Sequence, residues 1–464
     1  MRRMEASEQT SRRYRAAWIS CTLRPRYRIK CRREGNFRLF VRRTPPRRVV
    51  LPPTTMDRRR RIFVATIVLS CCCFSLANAF VKPDDNPDIG LTTPELVTKY
   101  GYPLEIHDIV AKDGYTLQLH RIPRGQDDEE EAKFRIRTPI LLVHGLAGSS
   151  ADWVLMGPGK SLAYILADAG YDVWLGNNRG NVYSRNHTWL SLTDRAFWNF
   201  SYHELGIYDL PAMIDYILHA TGHERIYYVG HSEGTTQFFV MASEKPEYNS
   251  KIILMIGLAP AAYSGNIRGP IKKLAQLTYF GVWVGETFGY PEFRSRTEWG
   301  KFVSNLFCQR GASTQVICSN ILFLITGFSR AELNTDYLTV VIGHVPAGAS
   351  WKQLVHYGQG YINPGCFRQY DYGSVDKNLR IYNSTTPPDY QLDRITAPIV
   401  LFSSDNDWLA TTKDVELLSA RLNNLVFHYK TPVSANFNHY DFIWGKSCVQ
   451  MVSRPILQLL AQYQ

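Results

Sequence analysis

The stretch "YVGHSEGT" (228–235) sets Ser232 between two glycines, Gly230 and Gly234. A serine hydroxyl is a poor nucleophile until a base takes its proton. Glycines on both sides of it suit a tight strand-to-helix turn that presents the hydroxyl at a helix N-terminus. The pattern G-x-S-x-G fixes only three positions, so the pentapeptide alone is weak. It gains meaning if a strand precedes it, a helix follows it, and an acid and a histidine come later in the chain. All twelve histidines lie beyond residue 79, and a lone histidine is more often structural than catalytic. His439, in "NFNHYDFIWG" (436–445), follows an apolar strand-like run and is the candidate base. His428 lies inside that run. His231 adjoins the serine on a tight turn and is expected to pack or hydrogen-bond beneath it. A third group must orient the imidazole. The stretch "SSDNDWLA" (403–410) offers Asp405 and Asp407, and spacing does not separate them. A developing oxyanion needs two N–H donors. Glu233 follows the serine, and Leu146 sits in the glycine turn "HGLAGSS" (144–150); their backbone amides are the candidates. This chemistry requires no metal and no organic cofactor.

These residues need strands and helices in a particular order. Apolar runs rich in β-formers alternate with helical spacing. "TPILLVHGL" (138–146), "YDVWLGN" (171–177), "RIYYVG" (225–230) and "KIILMIGLAPAA" (251–262) read as strands. "SLAYILADAG" (161–170), "DLPAMIDYILHATG" (209–222) and "TTQFFVMASEK" (235–245) read as helices between them. The alternation predicts an α/β fold with a mostly parallel sheet and helices on both faces. It breaks at about 263 and returns at 397 with strand "APIVLFSSDND" (397–407), helix "TKDVELLSARL" (412–422), strand "NLVFHYK" (424–430) and a closing helical stretch over 447–463. The plainest organisation is one α/β domain, 80–262 and 397–464, interrupted by a mainly helical cap over 263–396. Within the cap, "SNILFLITGFS" (319–329) is too apolar for an ordinary exposed helix. It is either buried or a surface that meets something greasy.

The formal charge of +12 is unevenly placed. Residues 1–79 carry 20 Lys/Arg against 4 Asp/Glu, and the other 385 residues carry 33 against 37. A mildly acidic body does not suggest a nucleic-acid partner. The boundary is "MDRRRRIFVATIVLSCCCFSLANAF": a basic start, an apolar run of about fifteen residues, and a small-x-small site at Ala77-Asn78-Ala79. Residues 56–79 therefore read as a secretory signal, too short for a stable membrane span, with a retained signal anchor as the rival. Translation from Met56, or an Arg-rich disordered extension over 1–55, accounts for what precedes it. Export permits disulfides. Cys308 and Cys318 close a short loop and are the natural pair, and none of Cys308, Cys318, Cys366 and Cys448 shows zinc-ligand spacing. Asn186, Asn199 and Asn383 begin glycosylation sequons.

With these residues in view, residues 85–464 resemble the acid lipase family of gastric and lysosomal lipases and their insect relatives. The resemblance rests on "VHGLAGSSADWV", "LADAGYDVWLGNNRGNVYSR", "FWNFSYHELGIYDLPAMIDYIL", "GHSEGTTQFF", "CSNILFLITGF", "DNDWLATTKDV" and "FNHYDFIWG". It implies an α/β-hydrolase fold with Ser232 as nucleophile, Asp407 rather than Asp405 as the acid, and His439 as base. It also implies Leu146 and Glu233 as oxyanion donors, a lid within 263–396, and a Cys308–Cys318 disulfide there. The gastric form usually has Gln where this chain has Glu233, an acidic side chain that bears on the pH profile or product release. Some relatives carry a free cysteine where this chain has Thr326. The expected activity is ester hydrolysis in neutral lipids such as triacylglycerols or sterol esters, at a lipid–water interface, by a secreted or lysosomal protein. A carboxylesterase for small soluble esters is the first rival, separable by interfacial activation. A non-catalytic lipid-binding or storage protein is the second, opposed by an intact triad.

Overall fold

The computed structural model describes residues 86–126, 136–293, 320 and 323–463. All lie within the compact unit Val68–Gln464. The proposed signal, the extension over 1–55, and both Cys308 and Cys318 lie outside the described residues.

A single large sheet organises the molecule. Its strands are β1 (Glu105–Val110), β2 (Tyr115–Ile122), β3 (Pro139–Val143), β4 (Asp172–Gly176), β5 (Asn186–His187), β6 (Ile226–His231), β7 (Ile252–Leu258), β10 (Ile399–Ser403) and β11 (Leu425–Lys430). Among the described residues the two remaining strands, β8 (Glu292–Phe293) and β9 (Ala349–Ser350), form a short antiparallel pair of their own. The order across the large sheet is β1-β2-β4-β3-β6-β7-β10-β11, with β5 beside β2. From β4 to β11 every pairing is parallel. β2 is antiparallel to both β1 and β4.

The strands read from the sequence are those with continuous apolar runs. β3, β4, β6 and β10 are buried at every position, as expected of central parallel strands covered on both faces. The β1–β2 hairpin was not legible in this way. Its outer strand, EIHDIV, is neither a continuous apolar run nor a strict alternation, and only Ile109 of β1 is buried, because one face is open to solvent.

The helices follow their caps and stripes. Leu210–Thr221 buries Leu210, Met213, Ile214 and Ile217, a stripe at helical spacing, and ends where Gly222 turns left-handed at φ 69°. Arg454–Gln462 buries Ile456 and Leu460 one turn apart. Glu233–Glu244 is different: eleven of its residues are buried, so it lies at the centre of the fold with no solvent face. β7 and β10 are neighbours in the sheet although 140 residues separate their ends, Leu258 and Ile399. Between them lie the helices Thr278–Phe288, Leu338–His344, Trp351–Ile362 and Val375–Tyr382. The apolar stretch at 319–329 turns out to serve both expected ends: Phe323 and Thr326 are buried, while Leu324, Ile325 and Phe328 are exposed.

Candidate active site

β6 runs straight into the helix Glu233–Glu244, and Ser232 is the residue at the bend. Its backbone sits at φ 51°, ψ −114°, a region that costs about 1–3 kcal/mol for a residue with a side chain. Three contacts hold it there. Ser232 N donates to Leu258 O at 2.9 Å, and the Ser232 carbonyl accepts from Thr235 N at 2.9 Å and Thr235 Oγ1 at 2.6 Å. The flanking glycines are steric necessities. A Cβ on Gly230 would stand 2.6 Å from the Gly234 carbonyl carbon, and one on Gly234 would stand 2.3 Å from Val143 O.

The serine meets its partners by geometry. Ser232 Oγ lies 2.7 Å from His439 Nε2, and His439 Nδ1 lies 2.8 Å from Asp407 Oδ2. The other carboxylate oxygen of Asp407 accepts from Leu409 N and Ala410 N, each at 2.8 Å. With both oxygens engaged and the side chain fully buried, Asp407 can only accept from His439. The imidazole proton therefore sits on Nδ1, and Nε2 is free to take the serine proton. Asp405, which spacing left open, goes elsewhere: it pairs with Lys430 at 2.6 Å and accepts from Thr412 Oγ1 at 2.8 Å on a largely exposed surface. His428 bonds Ser403 Oγ at 2.7 Å, away from the serine.

His231 lies beneath the bend, as its position suggested. Its Nε2–H donates to the His439 carbonyl at 2.9 Å. Burial, with His439 nearby, lowers its pKa to about 3, so the ring stays neutral and the bond keeps its polarity. One histidine thus fixes the backbone of the other.

The loop after β3 closes the site from the far side. Gly148 N donates to Gly145 O at 3.0 Å, making a tight turn with Ala147 at φ 58°. Gly145 is packed so closely that an added Cβ would lie 3.1 Å from the Ser232 Cβ. His144 steadies the loop: its Nδ1–H donates to Gly145 O at 2.8 Å, and its Nε2 accepts from Asn178 N and Asn181 Nδ2, both at 3.2 Å. Glu233 occupies the first turn of its helix, where N–H groups lack intrahelical acceptors. Glu233 thus follows Ser232 at the start of the helix, and Leu146 follows Gly145 in the loop packed against the serine.

Other supports were not visible in the sequence. Arg179 is buried and bonds Asp209 through Nε at 2.7 Å and Asp113 through both terminal nitrogens at 2.6 and 2.9 Å. The three residues come from separate segments, so no local spacing signals them. The helix Trp351–Ile362 sends Gln353 to the Glu233 carboxyl, Nε2 to Oε2 at 2.8 Å. The sequon residues Asn186, Asn199 and Asn383 are all exposed. Among the described residues no group of His, Cys, Asp and Glu could hold a metal ion.

The order of strands around a serine at the bend after β6, with acid and histidine beyond β10 and β11, defines an α/β-hydrolase. A family model for the alpha/beta hydrolase fold matches residues 138–276, and one for a partial alpha/beta-hydrolase lipase region matches 93–157. The chain is 38% identical to gastric triacylglycerol lipase of Bos taurus, covering 81% of this chain and 93% of that protein. It is 41% identical to Lipase 1 of Drosophila melanogaster, covering 81% of each chain. It is 36% identical to lysosomal acid lipase/cholesteryl ester hydrolase of Macaca fascicularis, covering 82% of this chain and 93% of that one. The chain belongs to this lipase family of α/β-hydrolases and is an ester hydrolase.

Proposed function

We propose that the protein hydrolyses ester bonds of neutral lipids, triacylglycerols and sterol esters, through a Ser232 acyl-enzyme, after secretion or delivery to lysosomes. The observation that carries the chemistry is the hydrogen-bonded line Asp407–His439–Ser232, at 2.8 and 2.7 Å. His439 Nε2 takes the proton of Ser232 as Oγ attacks the ester carbonyl. The Leu146 and Glu233 amides receive the charge that forms on the carbonyl oxygen. His439 then returns its proton to the departing alcohol, and water, activated by the same nitrogen, releases the fatty acid. Asp407 stabilises the imidazolium at both stages.

The substrate class draws support from the names of the bovine and macaque relatives and from the cap surface. Leu274, Leu277, Phe280 and Trp283 recur every three residues, and all are more than half exposed. An apolar stripe of this kind fits a lipid–water interface. No helix among the described residues is long and apolar enough to cross a membrane. We further read 263–396 as the cap, Cys308–Cys318 as its disulfide, and Asn186, Asn199 and Asn383 as glycan acceptors. The test is fatty-acid release from a long-chain triacylglycerol emulsion and from a soluble short-chain ester, for the wild type and Ser232→Ala. Emulsion hydrolysis lost in the variant is the expected result. Activity on the soluble ester alone would replace the lipase reading with that of an esterase, and no serine-dependent turnover on either would overturn it.

A further inference from the structure

Glu233 brings more than an N–H to the site. Its side chain is buried and runs to the helix Trp351–Ile362, where Oε2 accepts from Gln353 Nε2 at 2.8 Å. Gln353 is itself fixed, because its Oε1 accepts from Ser350 N at 2.8 Å in a capping box. Oε1 of Glu233 has no partner among the described residues. On its own helix the neighbours are Thr236 and, one turn on, Gln237. Across from it stand Gln353, Tyr357, whose hydroxyl donates to Thr236 Oγ1 at 2.9 Å, and Tyr202 from the segment Tyr202–Glu204. No lysine, arginine or histidine among the described residues pairs with the carboxyl. Lys352, next to Gln353, gives its ammonium to Asn199 Oδ1 at 2.9 Å instead. The facing tyrosines stay neutral, since burial and Glu233 hold both hydroxyls far above their usual range.

A carboxylate in such a place is expensive: it has one donor, no cation, and no water-like surroundings. Burial pushes the acid up to about 8, against the single opposing effect of the Gln353 hydrogen bond. The backbone N–H that faces the reacting carbonyl belongs to the same residue. We propose that Glu233 must be a neutral carboxylic acid for the site to turn over, and that its ionisation sets the alkaline limit of catalysis. A negative charge one side chain away, in dry surroundings, opposes the negative charge that the Glu233 and Leu146 amides are there to receive. It also repels the fatty-acid anion as the acyl-enzyme breaks down. Glu233 is in this respect a positioning residue that tunes the field at the oxyanion, and the inference rests on the hydrolase mechanism proposed above.

The test is the pH profile of kcat/KM from pH 5 to 10 on a soluble nitrophenyl ester, each enzyme scaled to its own maximum. In the wild type, ionisation near pH 8 lowers kcat/KM about tenfold between pH 7 and pH 9. Glu233→Gln keeps the shape and the acceptor oxygen but cannot ionise, so its alkaline limb should move up by at least one pH unit. Gln353→Met is the second variant. It leaves the carboxyl in place, removes its only donor, and should shift the limb in the same direction. If either folded variant keeps the wild-type limb, the proposal is overturned while the hydrolase reading stands. A wild type without serine-dependent turnover would instead sink the hydrolase reading.

Discussion

Asp407→Asn is the change whose consequence the structure determines most closely. One carboxylate oxygen of Asp407 takes Nδ1–H of His439 and the other takes the Leu409 and Ala410 amides. An asparagine has one oxygen to share between these tasks. If that oxygen faced His439, the NH₂ group would confront two buried backbone donors, each losing its acceptor at about 1–3 kcal/mol. The amide therefore settles with its oxygen on the backbone and its NH₂ toward Nδ1. Nδ1 must then be the acceptor, which moves the ring proton to Nε2, where it opposes the Ser232 hydroxyl. The imidazole keeps its place but holds the wrong tautomer. The loss expected for this kind of inversion is about 10⁴-fold in kcat, or about 5.4 kcal/mol of transition-state stabilisation, with KM little changed. Initial rates on a soluble short-chain ester, over a range of concentrations at pH 6, measure both constants. Asp405→Asn serves as comparison, since that carboxylate faces Lys430 on the surface; its kcat should stay within about threefold, the usual reach of a surface pair. Retention of more than a tenth of kcat by Asp407→Asn, or the larger loss in Asp405→Asn, would refute the assignment.

The remaining predictions concern stability. Gly234→Ala forces a methyl to within 2.3 Å of Val143 O, so about 3 kcal/mol should be lost by overpacking, read as a lowered thermal midpoint. Stability should also peak near pH 6.5. Burial raises Glu233 and Asp152 to about 8 and Asp441 to about 7; because these exceed the unfolded values, their stabilisation is complete below about pH 4 and drains away up to pH 7–8, at about 1.4 kcal/mol per group per pH unit. Burial also depresses His120 and His144 to about 4 and His231 and His356 to about 3; their contribution is complete above about pH 6.5 and is lost as pH falls. A thermal midpoint that stays level from pH 6.5 to 8.5 would contradict these burial effects.

What could be read from the chain was what short-range pattern encodes. β3, β6 and β10 announce themselves as apolar runs because both faces are covered, and the Ser232 bend needs two glycines that spell themselves out. β1 is half solvated, so its sequence EIHDIV lacks that signal. The choice between Asp405 and Asp407 turned on family likeness, because only the folded loop shows one residue meeting His439 and the other meeting Lys430. The destination of the Glu233 side chain was beyond reach: Gln353 lies 120 residues away, and nothing near either residue marks the pair. The Arg179 ion cluster was hidden for the same reason.

The sheet joins β7 to β10 across 140 residues of intervening chain, and this has a consequence for the order of events during synthesis. Ser232 is made early, but Asp407 and His439 lie beyond β10, and β11 must add to the sheet's edge before the loop carrying His439 is placed. A chain emerging from the ribosome therefore carries an unarmed serine until the segment bearing His439 appears. For an ester hydrolase, late arming leaves the nascent chain inert until the sheet that carries the acid and the base is complete.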